Sequence, residues 1–417
     1  MKILVVSQYF WPENFRINDL VKEWVTRGHE VTVLTGKPNY PDGQVFPEFA
    51  RAPERFSDYE GARVHRVPML ARSQGAMRLM LNYLSFVIGG CLWGPWLLRG
   101  LRADVIFVYE PSPITVGIPA VLLGRLKRAP VVLWVLDLWP ETLAAVGAVR
   151  SPVVLRMVGH LVSFIYNRCA LVLGQSRAFI DSIGHYCRDR SKVRYFPSWA
   201  ESLFLQADGA RAPEVPPATD TFSILFAGNI GEAQDFPAIL DAAELLRHNE
   251  RVRWLIVGDG RRFEWVKGEI ARRQLHERVL LLGRFPVERM PSFYAHADAL
   301  IASLKSDPTF SMTIPGKVQS YLLAGRPIVG MLDGEGADVI ERAQAGMVCP
   351  AGDGAALAAT VERLAALPPE ARERMGAHGQ AYARAEFDRS TQVSRLLSFL
   401  EEARQLHRPS GARKVGA

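Results

Sequence analysis

The chain has 417 residues, a length that suits two or three domains. Hydrophobic residues make up 48% and charged residues 22%, the balance of a globular chain with a sizeable core rather than of a disordered or fibrous one. Cys91, Cys169, Cys187 and Cys349 form no Cys-x-x-Cys pair, which argues against a zinc or disulfide scaffold and fits a reducing compartment. The net charge of +7 points to an acidic partner, either a phosphate-bearing substrate or an anionic membrane surface. No zinc-finger spacing or RNA-recognition motif accompanies it, so nucleic acid is not expected as a partner.

Met1-Lys-Ile-Leu runs directly into a strand, so no secretory signal is expected. Residues 2–7 read as a buried strand, followed by the loop Gln8-Tyr-Phe-Trp-Pro-Glu-Asn-Phe-Arg16 and a helix to about Arg27. Residues 29–35 are the second strand of a parallel β-α-β unit. The turn-rich loop Gly36–Gly43 follows at its carboxyl end, where such sheets place ligands. Asn14, Arg16, Asn39 and Tyr40 are therefore candidate binding residues.

Leu79–Leu98 contains no charge and is flanked by Arg78, Arg99 and Arg102. Its glycines, Pro95, Trp93 and Trp96 suggest a broken helix lying in a bilayer interface; an apolar core helix and a membrane span are the other readings. Further strands are expected at 64–67, 104–109, 130–136, 171–174 and 193–196, with helices between. Asp137 ends the fifth strand, either as a functional carboxylate or as a helix N-cap, with Trp139 and Glu141 just beyond. Residues 205–221 have the composition of a linker. Strand–helix alternation then restarts at 222 and predicts a second α/β domain.

Neither domain opens with Gly-x-Gly-x-x-Gly, which counts against a dinucleotide enzyme. The second domain has Gly228-Asn229-Ile-Gly231-Glu-Ala-Gln234 after its first strand, where glycines admit a close diphosphate. Asp259, Arg284, Phe285 and Lys305 follow later strands. Ser311-Met-Thr-Ile-Pro315-Gly316-Lys317-Val-Gln319-Ser320 leads into a helix with Val318, Tyr321 and Leu322 on one face and Gly325 at its end. Backbone N–H groups, the helix dipole and the Lys317 ammonium converge there on a site for an anion; a surface helix with a solvated lysine has the same spacing.

These strings resemble the retaining family 4 glycosyltransferases, in a bacterial cell-surface polysaccharide branch. Those carrying the resemblance are Gln8-Tyr-Phe-Trp-Pro-Glu, Pro38-Asn-Tyr-Pro-x-Gly, Asp137-Leu-Trp-Pro-Glu, Gly228-Asn-Ile-Gly-Glu-Ala-Gln, Ile314-Pro-Gly-Lys and Ala324-Gly-Arg-Pro-Ile. The resemblance implies an α/β fold of GT-B architecture, two Rossmann-like doubly wound domains facing across a cleft. Residues 1–200 would bind the acceptor, 201–221 would link, 222–385 would hold the donor, 386–407 would cross back as a helix, and 408–417 would form a tail.

It also implies a metal-independent transfer from a nucleotide sugar, UDP-linked, to a polyprenyl-diphosphate-linked acceptor at the cytoplasmic face of the inner membrane. Lys317, Lys305 and Asp137 would be catalytic. The donor would meet Gly228, Asn229, Gly231, Gln234, Asp259, Arg284, Phe285, Pro315, Gly316, Gln319 and Ser320. The acceptor would meet Asn14, Arg16, Asn39, Tyr40, Trp139 and Glu141. The chain departs from the family's paired glutamates, having Met312 and Ser320 in their places, and from its basic turn, having Asn229 and Gln234. A nucleotide-sugar epimerase and a non-catalytic binding subunit stay open as alternatives.

Overall fold

A computed structural model describes residues 1–41, 43–73, 75–145, 147–200, 203 and 210–407. Within the expected linker, 201–202 and 204–209 lie outside the described residues, as do the expected tail at 408–417 and position 42 of the Gly36–Gly43 loop. The chain forms two units, Met1–Phe196 with the segment from Val393 onward, and Pro197–Gln392.

The first unit contains an eight-stranded sheet: β1 (Lys2–Val6), β2 (Glu30–Thr35), β3 (Asp58–Tyr59), β4 (Ala62–Arg66), β5 (Val105–Glu110), β6 (Val131–Val135), β7 (Leu171–Gly174) and β8 (Val193–Tyr195), in the order β3-β4-β2-β1-β5-β6-β7-β8. All pairs are parallel except β3–β4. Covered on both faces, β5 and β6 are apolar without alternation, and every residue of both is buried. The order reverses between β1 and β5, so the carboxyl ends of these strands form a switch point where ligands settle. The expected strand at 64–67 is β4, and the sequence reading missed the short β3 that pairs with it.

The second unit contains β9 (Phe222–Ala227), β10 (Val252–Val257), β11 (Val279–Gly283), β12 (Ala299–Ser303), β13 (Ile328–Met331) and β14 (Gly346–Cys349), in the order β11-β10-β9-β12-β13-β14, all parallel. Alternate residues feed cores on opposite faces. Ile224 and Phe226 join one cluster with Trp254 and Ile256, whereas Leu225 and Ala227 join another with Leu255 and Tyr321. The sequence reading did not anticipate β14 or the helices Glu335–Arg342 and Gly354–Ala365.

The described part of the expected linker is packed rather than free. Ala212 and Val215 are buried in the second unit, and the Ala212 N–H donates to the Ser292 carbonyl at 3.1 Å. Its small apolar residues suit a groove as well as a linker. The Leu79–Leu98 stretch is a helix at Ala76–Leu92 and a turn at Gly94–Leu97. No helix among the described residues is long and apolar enough to cross a membrane. The core-helix reading also fails on the outer face, where Met80, Leu84 and Ile88 are exposed. The inner face is anchored by buried Asn82, which accepts from the Gln8 amide at 2.8 Å and donates to the Leu70 carbonyl at 2.6 Å.

Candidate active site

The carboxyl ends of β9, β10 and β11 open onto a cavity of about 510 Å³ within the second unit. Gly228, Asn229, Asp259, Arg284 and Phe285 are among its lining residues. Glycine is needed where the loops meet. Gly258 has φ 148°, and a Cβ there would stand 1.8 Å from the Gly228 carbonyl oxygen. Gly228 has φ 134°, and a Cβ there would stand 2.7 Å from Lys317 Cε. The Gly228 N–H donates to the Val257 carbonyl at 2.9 Å and the Ile230 N–H to the Asp259 carbonyl at 2.8 Å, which stitch the two loops together.

The helix Gly316–Ala324 begins with Pro315 at its N-cap and ends on left-handed Gly325. Buried Tyr321 fixes the helix to β9: its hydroxyl accepts from the Ala227 N–H at 3.0 Å and donates to the Ala227 carbonyl at 3.2 Å. The first turn therefore lies beside Gly228. Lys317 Nζ is buried, has no hydrogen-bond partner among the described residues, and lies 3.4 Å from the centre of the Phe226 ring. Burial pulls its pKa down to about 7. An unpaired amine held at the start of a helix gains most from an arriving anion.

Lys305, expected to be catalytic, and the expected donor contacts Gln234, Gln319 and Ser320 are engaged within the protein. Lys305 is paired with Glu232 at 2.8 Å, and Arg262 grips the same carboxylate with two nitrogens. The Arg262 hydrogen bonds, then those of Lys305, hold the Glu232 pKa down to about 2. Lys305 therefore already has its charge matched by a carboxylate. Gln234 uses its side-chain oxygen to accept from the Gly231 N–H at 3.1 Å, shaping the loop. Gln319 faces inward, its amide donating to the Ser198 carbonyl at 3.1 Å, because its helical position falls on the packed side. Ser320 donates to the Gly316 carbonyl one turn back at 3.1 Å. Asp259 accepts from the Gly260 N–H at 2.7 Å, and Phe285 packs on Phe293. The Gly316 Cβ position faces open space.

In the first unit, Asp137 lies just past β6 and accepts from Thr142 Oγ1 at 2.6 Å and Trp139 Nε1 at 3.2 Å. Trp139 stands edge-on to Tyr83. Asn14 is exposed, Arg16 begins the first helix, and Tyr40 packs on Tyr9 and Phe15 with Arg72 over its ring. Two expected acceptor residues are committed elsewhere. Asn39 is buried, donating to the Lys37 carbonyl and accepting from the Arg72 N–H, both at 2.7 Å. Glu141 accepts from the Tyr186 hydroxyl at 3.1 Å.

The sequence reading gave no role to two buried carboxyls. Glu13 ties the first two loops together by accepting from the backbone N–H groups of Phe10, Asn39 and Tyr40 at 2.7–3.0 Å. Glu110 ends β5 at the switch point, fully buried, with neither oxygen at hydrogen-bond geometry to a partner. Burial, then the charge of Asp137, pushes its pKa well above the carboxylate range; the backbone N–H groups of Asp137 and Leu136 offset only part of this. A Glu closing an apolar strand was the only signal in the sequence.

Residues 14–199 match the domain model described as glycosyl transferase 4-like domain, and residues 221–366 match that of glycosyl transferases group 1. The putative colanic acid biosynthesis glycosyl transferase WcaI of Escherichia coli (strain K12) is 27% identical over 275 residues, covering 62% of this chain and 66% of that protein, just under two thirds of its length. HepE from Anabaena, solved in complex with UDP, superposes with a TM-score of 0.70 at 17% identity, covering 96% of this chain and all (100%) of the other. WaaG, a glycosyltransferase involved in lipopolysaccharide biosynthesis, superposes with a TM-score of 0.61 at 13% identity, covering 99% of this chain and 100% of the other. With a glycosyltransferase domain model matching each of its two sheets, the chain belongs to the family 4 glycosyltransferases, is built on the GT-B architecture, and is similar to WcaI.

Proposed function

We propose that the protein is a retaining glycosyltransferase that moves a sugar from a UDP-linked donor to a polyprenyl-diphosphate-linked saccharide during bacterial cell-surface polysaccharide synthesis. The observation that carries this reading is Lys317, a buried, unpaired amine beside the glycine turn of a nucleotide-sized cavity. The departing UDP gains negative charge as the bond from the sugar anomeric carbon to its oxygen breaks. The Lys317 ammonium and the N–H groups of the first helical turn stabilise that charge. The acceptor hydroxyl attacks from the same face and passes its proton to the departing diphosphate oxygen. UDP as the nucleotude is supported by HepE, whose solved structures hold UDP and UDP-glucose.

Asp137, beside Trp139, faces the acceptor in this reading. Arg78, Arg99 and Arg102 flank the Leu79–Leu98 stretch in sequence and, with the exposed Met80, Leu84 and Ile88, support association with an anionic inner-membrane surface. Thermal shifts with UDP, GDP, ADP, CMP and NAD test the donor. A ligand at 100 times its Kd adds about 2.7 kcal/mol of stability. A shift with UDP that is lost in Lys317→Ala is expected; a shift with NAD alone overturns the reading, and a shift with GDP alone changes the donor.

A further inference from the structure

A second cavity, of about 350 Å³, opens at the amino-terminal edge of β6 and β7, the opposite sheet edge from Asp137 and Glu110. Arg125, Arg128, Arg168 and His407 line it. They come from the ends of three helices, Gly117–Lys127, Pro152–Tyr166 and Arg389–His407. Basic residues suit helix carboxyl ends, and Arg168 serves there by donating to the Phe164 carbonyl at 3.1 Å. Arg125 and Arg128 have no hydrogen-bonded or ion-paired side-chain partner among the described residues, and no carboxylate lines the cavity.

Arg128 makes a second, independent point. It caps its helix in the left-handed region, at φ 52°, where glycine or asparagine is the unstrained choice. A guanidinium is kept there despite the strain. Exposed apolar side chains neighbour the lining arginines in sequence or by contact. Leu126 is 57% exposed, and Phe164, with the Arg168 guanidinium 3.6 Å from its ring centre, is 41% exposed. Lys127 Nζ donates to the Leu98 carbonyl and ties in the neighbouring turn, whose Trp96 is 59% exposed beneath Arg99. Free phosphate or nucleic acid needs no apolar border, whereas a lipid headgroup attached to acyl chains does.

We propose that this cavity seats the phosphate of an anionic phospholipid headgroup, with the acyl chains passing toward Leu126, Phe164 and Trp96. The proposal rests on the membrane association proposed above and names its lipid contact; it does not depend on the donor site. The test is co-sedimentation of the full chain with vesicles of phosphatidylcholine alone or mixed with phosphatidylglycerol. Each arginine near an anionic surface is worth about fivefold in partitioning, so Arg125→Ser/Arg128→Ser/Arg168→Ser should lose on the order of 100-fold on phosphatidylglycerol vesicles. Arg128→Gly alone, which relieves the backbone strain, should lose about fivefold without loss of thermal stability.

Wild-type and triple-variant proteins with the same preference for phosphatidylglycerol would overturn the proposal. So would inorganic phosphate or an RNA oligonucleotide saturating the cavity with no preference for anionic vesicles. Equal binding to both vesicle types, lost in Met80→Ser/Ile88→Ser, would overturn the headgroup site while keeping the membrane association. No binding to either vesicle would overturn both. A melting temperature and circular dichroism spectrum like those of the wild type establish that each variant is folded.

Discussion

The Lys317 amine lies 3.4 Å from the centre of the Phe226 ring, in a buried site where it has no hydrogen-bond partner among the described residues. Burial pulls the Lys317 pKa down to about 7, so above that pH the free protein holds a neutral amine. A bound diphosphate favours the ammonium, so binding then takes up a proton. UDP affinity is expected to be level below about pH 7 and to weaken above it, approaching tenfold per pH unit. Calorimetry in two buffers of different ionisation heat should show proton uptake at pH 8. In Lys317→Arg the guanidinium stays charged and the dependence should vanish. A wild-type affinity that is flat from pH 6 to 9 would refute the link.

Glu110 should make stability fall as pH rises. Its pKa is raised in the fold, so between the unfolded value of about 4.3 and the folded value the native state holds a proton that the unfolded state has released. Stability is therefore greatest below the unfolded value and declines through that window. Glu110→Gln, which is neutral at every pH, should remove this decline, so that its stability relative to wild type rises from pH 5 to pH 8. Urea unfolding of both proteins at pH 5 and pH 8 measures the difference; parallel pH dependences would contradict a proton held on Glu110.

Tyr321→Phe removes the hydroxyl that both accepts from and donates to Ala227. It should cost about 1–3 kcal/mol, because a buried N–H loses its acceptor. The first turn of the Gly316–Ala324 helix should loosen with it. UDP affinity should fall in the same variant, read by calorimetry beside the unfolding curve.

Gly258 and Gly268 make a matched pair. A Cβ at Gly258 would overlap the Gly228 carbonyl oxygen, whereas one at Gly268 meets nothing within 4 Å. Gly258→Ala should displace the donor turn and weaken UDP binding by at least about tenfold, since a close approach at positive φ is lost. Gly268→Ala, in the exposed helix Phe263–Arg272, should raise stability by roughly 0.5–1 kcal/mol and leave UDP binding unchanged. Melting curves with and without UDP separate the two effects.

Much of the first sheet was legible because β6, and β5 up to its closing Glu110, are apolar runs, and buried parallel strands need no alternation. Two-residue β3 was not, since so short a pairing carries no periodic signal. Gly325 read correctly as a helix end, because its left-handed backbone is a local demand. The pairing of Lys305 was not legible, because nothing near it in sequence announces Glu232, 73 residues earlier, as its partner. Asn39 read as a ligand contact because its burial depends on Glu13 and Arg72, which reach it from other loops.

By itself the sequence determined the alternation of strands and helices, the two-sheet organisation, and the helix start that carries Lys317. These follow from residue periodicity, from glycine and proline backbone preferences, and from neighbours a few positions apart. Only the tertiary structure decided which charges are already matched, such as Lys305 and Arg262 on Glu232, and which polar groups are stranded, such as Glu110 and Lys317. It alone brought Arg125, Arg128 and Arg168 to one cavity. Burial and ion pairing belong to the packed whole, where strand order and register join residues that the chain holds far apart.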